Sequence, residues 1–481
     1  MPAFVKTLRP NVSKCFIDTS RTSRAININL FHVSSLDMWF AQDEVQRDCL
    51  SAEFKSLITS VGFRGLQFPG GGINASYTTI PDNTTINGGA GSGYNCSLTN
   101  PGEDRCSFPW TKDFFNEYVQ LCDDLNLIPS ISFNCQLDNA DFLTQNEWIL
   151  ERLVDVFGEN GIKDVSYGME DNIGNSEEYW ATQMPLFNVP NYTAAYIVRI
   201  AARLAAMQAA HPTWNFHIAG QDILRVNEDQ VLWGDRLYKT YNGVSLNPQA
   251  VKIYTQSNDF FENTPFEFTE DFTYNLQMVN DVFDFNQKSK YTLPNIIKRF
   301  TEVHPGRKMG IWQHGWLNQG DTIVHDTMLA LIFIGKFYKF MLDYNYASND
   351  FICYAAYQNM RNIITNANVP KQHYWGLWAV GKVFKNNPSY IPVYFDYPGL
   401  SGVAVYDATD NVYRVLVINE TGTARSITVN AGTTTYSGFT RYTAKSTSLS
   451  STTITTETVV DATEAQIAAY SVNVIQTSTL S

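Results

Sequence analysis

The sequence is poor in charge. Only 17% of its residues are charged, and 34 Lys and Arg stand against 47 Asp and Glu, for a net charge of −13. Nucleic acid and anionic membrane surfaces are held by Lys and Arg that neutralise phosphate, so neither is an expected partner. Long apolar runs are also missing. The most apolar segment, from Met328 to Leu342, is interrupted by Lys336 and Lys339, whereas a membrane span needs about 20 clean residues. No membrane insertion is expected. The opening MPAFVKTLRP has neither the apolar centre nor the small-residue cleavage site of a signal peptide. The compartment is left open, with an extracellular or particle assembly among the settings. No Cys-x-x-Cys pair occurs, and His304, His314 and His325 are spaced too widely for a helical metal pair. Neither a metal nor another cofactor is expected.

Seven cysteines cannot all pair with one another. Cys96 and Cys106 bracket a loop and could staple it. Cys15, Cys49, Cys122, Cys135 and Cys353 sit in apolar stretches and read as buried thiols. Sequons at Asn11, Asn74, Asn83, Asn95, Asn191 and Asn419 leave glycosylation open. A hydrophobic content of 44% is ample for a core, and a chain of 481 residues fits one large domain plus a smaller one.

Eight short apolar runs alternate with longer amphipathic stretches from about residue 25 to residue 385. The runs are 26–33, 63–68, 128–133, 165–167, 215–219, 251–254, 309–312 and 351–355. Helical patterns between them include 44–61, 114–125, 147–157, 194–210, 232–241, 275–285 and 327–342. Such alternation implies parallel βα units, and eight of them imply a closed (β/α)8 TIM barrel rather than an open sheet. After Pro392 the texture changes to short runs rich in β-branched residues and separated by Gly, Asp, Asn and Thr: 394–397, 402–406, 412–419, 426–429, 438–443, 452–460 and 467–474. That pattern predicts an antiparallel β-sandwich, which the N-terminal run 12–18 joins. The expected division is a barrel over residues 21–387 and a sandwich from residues 1–20 with 388–481. The Thr/Ser-rich stretch 440–458 has linker composition, but its Thr-x-Thr alternation suits strands equally well.

Residues 69–110 carry no helix or strand pattern and include Gly70-Gly71-Gly72 and the glycines from Gly88 to Gly93. Following the second barrel strand, this segment is expected over the C-terminal mouth, where barrel loops carry function. It reads as a surface loop rather than a phosphate loop, because no Lys-Ser/Thr and no helix follows the glycines.

Four places together carry a family resemblance. The run C-F-I-D-T-S-R-T-S-R-A-I-N-I-N-L-F from Cys15 to Phe31 resembles an I-D … I-N-…-L-F-G strand pair. G-L-Q-F-P-G-G from Gly65 to Gly71 resembles L-R-F-P-G-G. V-S-Y-G-M-E-D from Val165 to Asp171 resembles a strand ending in G-N-E-P, and M-G-I-W-Q-H-G-W from Met309 to Trp316 resembles one ending in I-T-E-W. Their order and spacing resemble the retaining glycoside hydrolases of the large (β/α)8 clan, in particular the heparanase/β-glucuronidase and α-L-arabinofuranosidase types. Those proteins also carry a sandwich built from both chain ends.

Retaining hydrolysis needs two carboxylates about 5–5.5 Å apart, one an acid/base and the other the nucleophile. The resemblance places the acid/base at Glu170, ending strand four, and the nucleophile position at Gln313, ending strand seven. A glutamine carries no charge and its carbonyl oxygen is a poor nucleophile, yet it keeps the shape and hydrogen-bonding reach of Glu. Two further departures accompany it. Met169 stands where the resemblance implies an Asn before the acid, and Gln67 stands for the Arg of the second motif. Gln67, Asn134, Trp180, Tyr254, His314 and Trp316 form the expected substrate-binding set, since aromatic faces stack on sugar rings and amides bond hydroxyls. Ordinary packing is the competing reading for each, and Trp110 and Tyr94 share the mouth side.

Two readings stay open. In the first, the chain is a glycoside-hydrolase-like protein that lost retaining catalysis and acts as a carbohydrate-binding or structural component, self-assembling through its Thr/Ser-rich sandwich into a homo-oligomer or larger assembly. In the second, it is an active glycosidase, or a Glu-to-Gln inactive form of one, acting on a uronic-acid or pentofuranose glycoside with Glu170 as acid/base. An inverting variant of that second reading would use Asp171 or Asp321, with a gap of about 6.5–9.5 Å for water. Whether the chain is an enzyme is thus undecided by sequence.

Overall fold

The computed structural model describes residues 12–26, 33–35, 49–68, 112–133, 139–159, 164–167, 206, 209–213, 218–222, 250–254, 269–284, 286, 292–303, 308–314, 324, 326–347, 352–357, 363–365 and 367–478. The chain enters with strands β1 (Val12–Ile17) and β2 (Arg24–Ala25). Eight strands follow: β3 (Val33–Ser35), β4 (Gly65–Phe68), β5 (Ile128–Phe133), β6 (Asp164–Tyr167), β7 (Ile218–Asp222), β8 (Ala250–Tyr254), β9 (Lys308–His314) and β10 (Ile352–Tyr357). They close into a barrel in chain order, β10 returning to β3, and every neighbouring pair is parallel. All four residues of β4 are buried, as expected of a strand covered on both faces.

One strand lies away from the expected place. The fifth barrel strand, expected over 215–219, runs on to Asp222, while residues 27–32 of the first, expected over 26–33, lie outside the described residues. Ile26 is buried outside any strand. An apolar run marks burial, and burial alone does not say where the hydrogen-bonded ladder begins.

Among the described residues the helices around the barrel are α1 (Ala52–Val61), α2 (Lys112–Asp124), α3 (Asn139–Phe157), α4 (Phe272–Val282), α5 (Leu293–Val303), α6 (Met328–Ala347) and α7 (Gln372–Gly381), and the expected helices over 194–210 and 232–241 lie outside them but for a few residues. Two begin at a side-chain cap. Ser51 caps α1 by accepting the Phe54 N–H at 3.3 Å, and Asp271 caps α4 by accepting those of Thr273 and Tyr274. Phe54, Ile58 and Val61 turn one helical stripe of α1 into the core. On α2 the buried Tyr118 donates its hydroxyl to the Leu66 carbonyl at 2.8 Å, tying helix to strand. No helix among the described residues is long and apolar enough to cross a membrane.

Beyond α7 come β11 (Ser389–Ile391), β12 (Val393–Phe395), β13 (Leu400–Asp407), β14 (Val412–Asn419), β15 (Arg425–Ala431), β16 (Thr434–Thr435), β17 (Phe439–Lys445), β18 (Thr455–Ala462), β19 (Ala465–Ile467) and β20 (Ser471–Thr477). They form two sheets. The larger has the order β18-β17-β20-β14-β13-β11-β2, and the smaller is built on β12-β1-β15-β16 with β19 beside β15. The Thr/Ser-rich stretch is therefore strand at both ends, in β17 and β18. The run expected as one strand over 467–474 is two, because Tyr470 takes a left-handed φ of 38° and the chain passes from one sheet to the other there.

The sandwich is not wholly antiparallel. β1 pairs antiparallel with β12 but parallel with β15. A parallel pair cannot be joined by a hairpin and needs a long crossover; here the whole barrel is that crossover. Nor does the N-terminal contribution stop at residue 20, since β2 hydrogen-bonds to β11 in the larger sheet.

The central strands β13, β14 and β20 of the larger sheet are buried on both faces. Ala404, Val415, Val417 and Ile475 face the smaller sheet, where they meet Cys15, Ile427 and Val429. Their neighbours Val403, Val405, Leu416, Ile418 and Val474 join the core of the barrel helices. This period-two division explains why β13 and β14 read as continuous apolar runs. Cys15, Cys49 and Cys122 are buried, and burial pushes the Cys15 thiol up to about 12. The amide of Asn419 is fully buried and donates to the carbonyls of Thr423 and Ala468, so that sequon has no free nitrogen for a glycan. Cys96, Cys106 and the loop 69–110 lie outside the described residues.

Candidate functional site

Parallel strands all point their C-terminal ends to one mouth, and in such barrels the mouth carries the chemistry. Gln67 is the penultimate residue of β4 and fully buried, with Ser35 and Ser130 beside it in register. Tyr254 is the last residue of β8, and Gln313 is the penultimate residue of β9. The two stand opposite each other in the ladder, next to a register shift. His314 ends β9 and pairs with Tyr357, the last residue of β10. The fold thus gathers the backbones of Gln67, Tyr254, Gln313 and His314 at one end of the barrel.

Glu170, Asn134, Trp180 and Trp316 lie outside the described residues, as do Asp171 and Asp321. Their attachment points are nonetheless fixed by the chain. Asn134 directly follows β5, Glu170 is the third residue after β6, and Trp316 is the second after β9. β6 and β9 are three strand positions apart around the ring of eight.

One rim carboxylate escaped the sequence reading. Asp222 is the last residue of β7, in register with Ile253 of β8. The run 215–219 stops three residues short of it, because Gln221 and Asp222 break the apolar pattern that the reading followed. A polar residue ending an apolar barrel strand was the signal available.

A second group lies on a helix and a neighbouring loop instead of the strand ends. Glu147 and Glu151, one turn apart on α3, and His211 bring one ligand atom each within 4.8 Å of one another. His211 Nε2 lies 2.7 Å from Glu147 Oε1. The trio has the donor types of a divalent-metal site, while its hydrogen bond is sufficient to account for the approach. The sequence offered no signal for it, since His211 is some sixty positions from its partners.

No family model and no curated protein matches this sequence. Solved structures do. An arabinofuranosidase superposes with a TM-score of 0.66 at 13% identity, covering 97% of this chain and 100% of its own. This is a glycoside hydrolase fold of the (β/α)8 clan. The glycoside hydrolase family 51 arabinofuranosidase of Xanthomonas axonopodis pv. citri gives a TM-score of 0.63 at 9% identity, with 97% and 100% coverage. A family 44 xyloglucanase of Paenibacillus polymyxa gives 0.59 at 12%, with 98% and 100% coverage. The similarity therefore extends over barrel and sandwich together, and it is a similarity of fold.

Proposed function

We propose that the chain is a carbohydrate-binding member of this fold class that no longer performs retaining hydrolysis. The observation that carries the reading is the place of Gln313, penultimate on the seventh barrel strand. An amide there cannot attack an anomeric carbon or balance the charge of an oxocarbenium-like transition state. It can still bond a sugar hydroxyl. Glu170 is read as the remnant acid, with Gln67, Asn134, Tyr254, Trp180, His314 and Trp316 lining the sugar site. The neighbours' names suggest a pentofuranose-bearing or xyloglucan-like glycan. In this reading the barrel takes residues 21–387, apart from the β2 pairing, and the sandwich the remainder.

The test is hydrolysis by the purified chain of aryl α-L-arabinofuranosides, β-xylosides, β-glucosides and β-glucuronides, run beside binding of arabino- and xylo-oligosaccharides. The expected result is saturable binding with no turnover above the uncatalysed rate. Gln313→Glu alone is expected to restore none, because Met169 and Gln67 remain. Turnover that Glu170→Gln abolishes would overturn the reading in favour of a working glycosidase, with Asp171, Asp222 or Asp321 as the second carboxylate.

A self-assembling role has its own support. β18 is the terminal strand of the larger sheet in the described structure, and its Val460 is 64% exposed. An unpaired strand edge is a template for a second chain. Sedimentation at rising concentration is expected to show association that Val460→Lys weakens; a monomer at all concentrations would remove this role.

A further inference from the structure

The hydrogen bond between His211 Nε2 and Glu147 Oε1 reaches one of the two glutamates on α3 and does not involve the other. Glu151 is exposed and one turn along the helix. Like charges at that spacing repel, and an exposed glutamate is free to swing its carboxylate into solvent. Yet one ligand atom of each glutamate and one of His211 all lie within 4.8 Å of one another. The adjacent Arg152 takes no part, since its Nε donates to Asn116 Oδ1 at 2.8 Å.

The loop that brings the histidine is held at a second point. Thr213 Oγ1 donates to Glu159 Oε1 at 2.8 Å, just past the end of α3. The segment 211–213 is thus tied to this helical segment on both sides of Pro212, and donors held in advance are what a metal site needs. Carboxylate oxygens and imidazole nitrogens bind zinc at about 2.0–2.2 Å, which sets neighbouring ligands of a tetrahedral ion ~3.3 Å apart. Here the His211–Glu147 pair stands at 2.7 Å and no pair exceeds 4.8 Å. Glutamate side chains are flexible enough to close shifts of ~1.5 Å or less. The His211 and Glu147 side chains are 20% and 40% exposed, so an ion reaches them from solvent.

We propose that Glu147, Glu151 and His211 form a divalent-metal site of the zinc type, with water as the fourth ligand. A nitrogen donor and three protein ligands suit zinc, whereas calcium and magnesium take about six or more oxygens. The ion takes the place of the proton that Nε2 shares with Glu147; that proton moves to Nδ1 or, from an imidazolium, leaves to solvent. The chain between residues 151 and 211 runs through β6 and includes Glu170. The ion therefore staples the two ends of that segment and closes a long loop, a link that stabilises by constraining the unfolded chain. The site lies on α3 and not at a strand end, and it does not depend on the reading of the barrel mouth.

The experiment is calorimetric titration of the chelator-stripped full chain with zinc chloride, beside melting curves with and without the ion. Wild type is expected to bind with a micromolar dissociation constant and to melt several degrees higher in excess zinc. Glu151→Gln leaves the His211–Glu147 hydrogen bond in place. It should melt like wild type without zinc, bind the ion at least tenfold more weakly and lose the rise in melting temperature. His211→Ala should lose zinc binding and the rise as well. Zinc binding that either variant leaves unchanged places the ion on other residues and overturns the proposal. So does the absence of saturable zinc binding, or calcium binding tighter than zinc. Glu151→Gln is a conservative change at an exposed position and decides the matter alone if His211→Ala fails to fold.

Discussion

Arg414→Ala is expected to destabilise the sandwich by about 3–5 kcal/mol, because it strands a buried carboxylate. Arg414 is only 1% exposed and the Asp407 side chain is fully buried. Nη1 reaches Asp407 at 2.6 Å, Nη2 reaches Asp410 at 2.6 Å, and Nε reaches Gln476 at 3.1 Å. Asp407 in turn accepts the N–H groups of Thr409 and Asp410, holding the turn between β13 and β14. Burial alone would raise the Asp407 carboxyl; Arg414 and the two N–H groups outweigh it and hold the carboxyl below its ordinary value. A lowered carboxyl contributes stability above its unfolded value, about 3.9, and loses it as pH falls through the folded one. In Arg414→Ala burial acts unopposed by the guanidinium, so the stranded carboxylate should cost most near neutral pH, and the deficit against wild type should shrink as pH falls and the carboxyl is protonated. Urea unfolding at pH 7 and an acid titration followed by circular dichroism measure both effects. An Arg414→Ala chain as stable as wild type would show that the network contributes nothing.

Gly402→Ala is expected to cost about 3 kcal/mol or more, a large effect for one methyl group, through overpacking. A Cβ at this position would lie 1.8 Å from the Leu416 carbonyl oxygen and 2.9 Å from its carbon. The obstacle is backbone, and it cannot yield: Leu416 is central in β14, paired with β13 on one side and with Val474 of β20 on the other. Gly438→Ala is the control, where the added methyl meets nothing closer than Ser478 at 3.4 Å, and it should be close to neutral. Equal stability of the two variants in urea would refute the argument.

The parts of the fold that were legible in the sequence are those where one periodicity dominates. Eight βα alternations gave the barrel because apolar runs of strand length alternate with longer amphipathic stretches. The α1 stripe of Phe54, Ile58 and Val61 is of this kind. What remained hidden depends on partners far along the chain. The parallel direction of β1 against β15 has no local cause, and the break at Tyr470 is a backbone conformation that no side-chain pattern announces. At the site, four motifs led to the fold and to the strand ends where Gln67, Tyr254, Gln313 and His314 now stand. They did not lead to Asp222, which closes a strand with two polar residues.

The pairing of Val12 with Ser426 has a temporal consequence. These partners are more than four hundred positions apart, and a ribosome adding about 5–20 residues per second needs tens of seconds to traverse that interval. Until β12 and then β15 are made, Cys15 and Ile17, which end fully enclosed, have no partner strand to meet. The nascent chain must therefore carry an unpaired strand-forming segment over that interval, and a chaperone that shields such segments would act on it there.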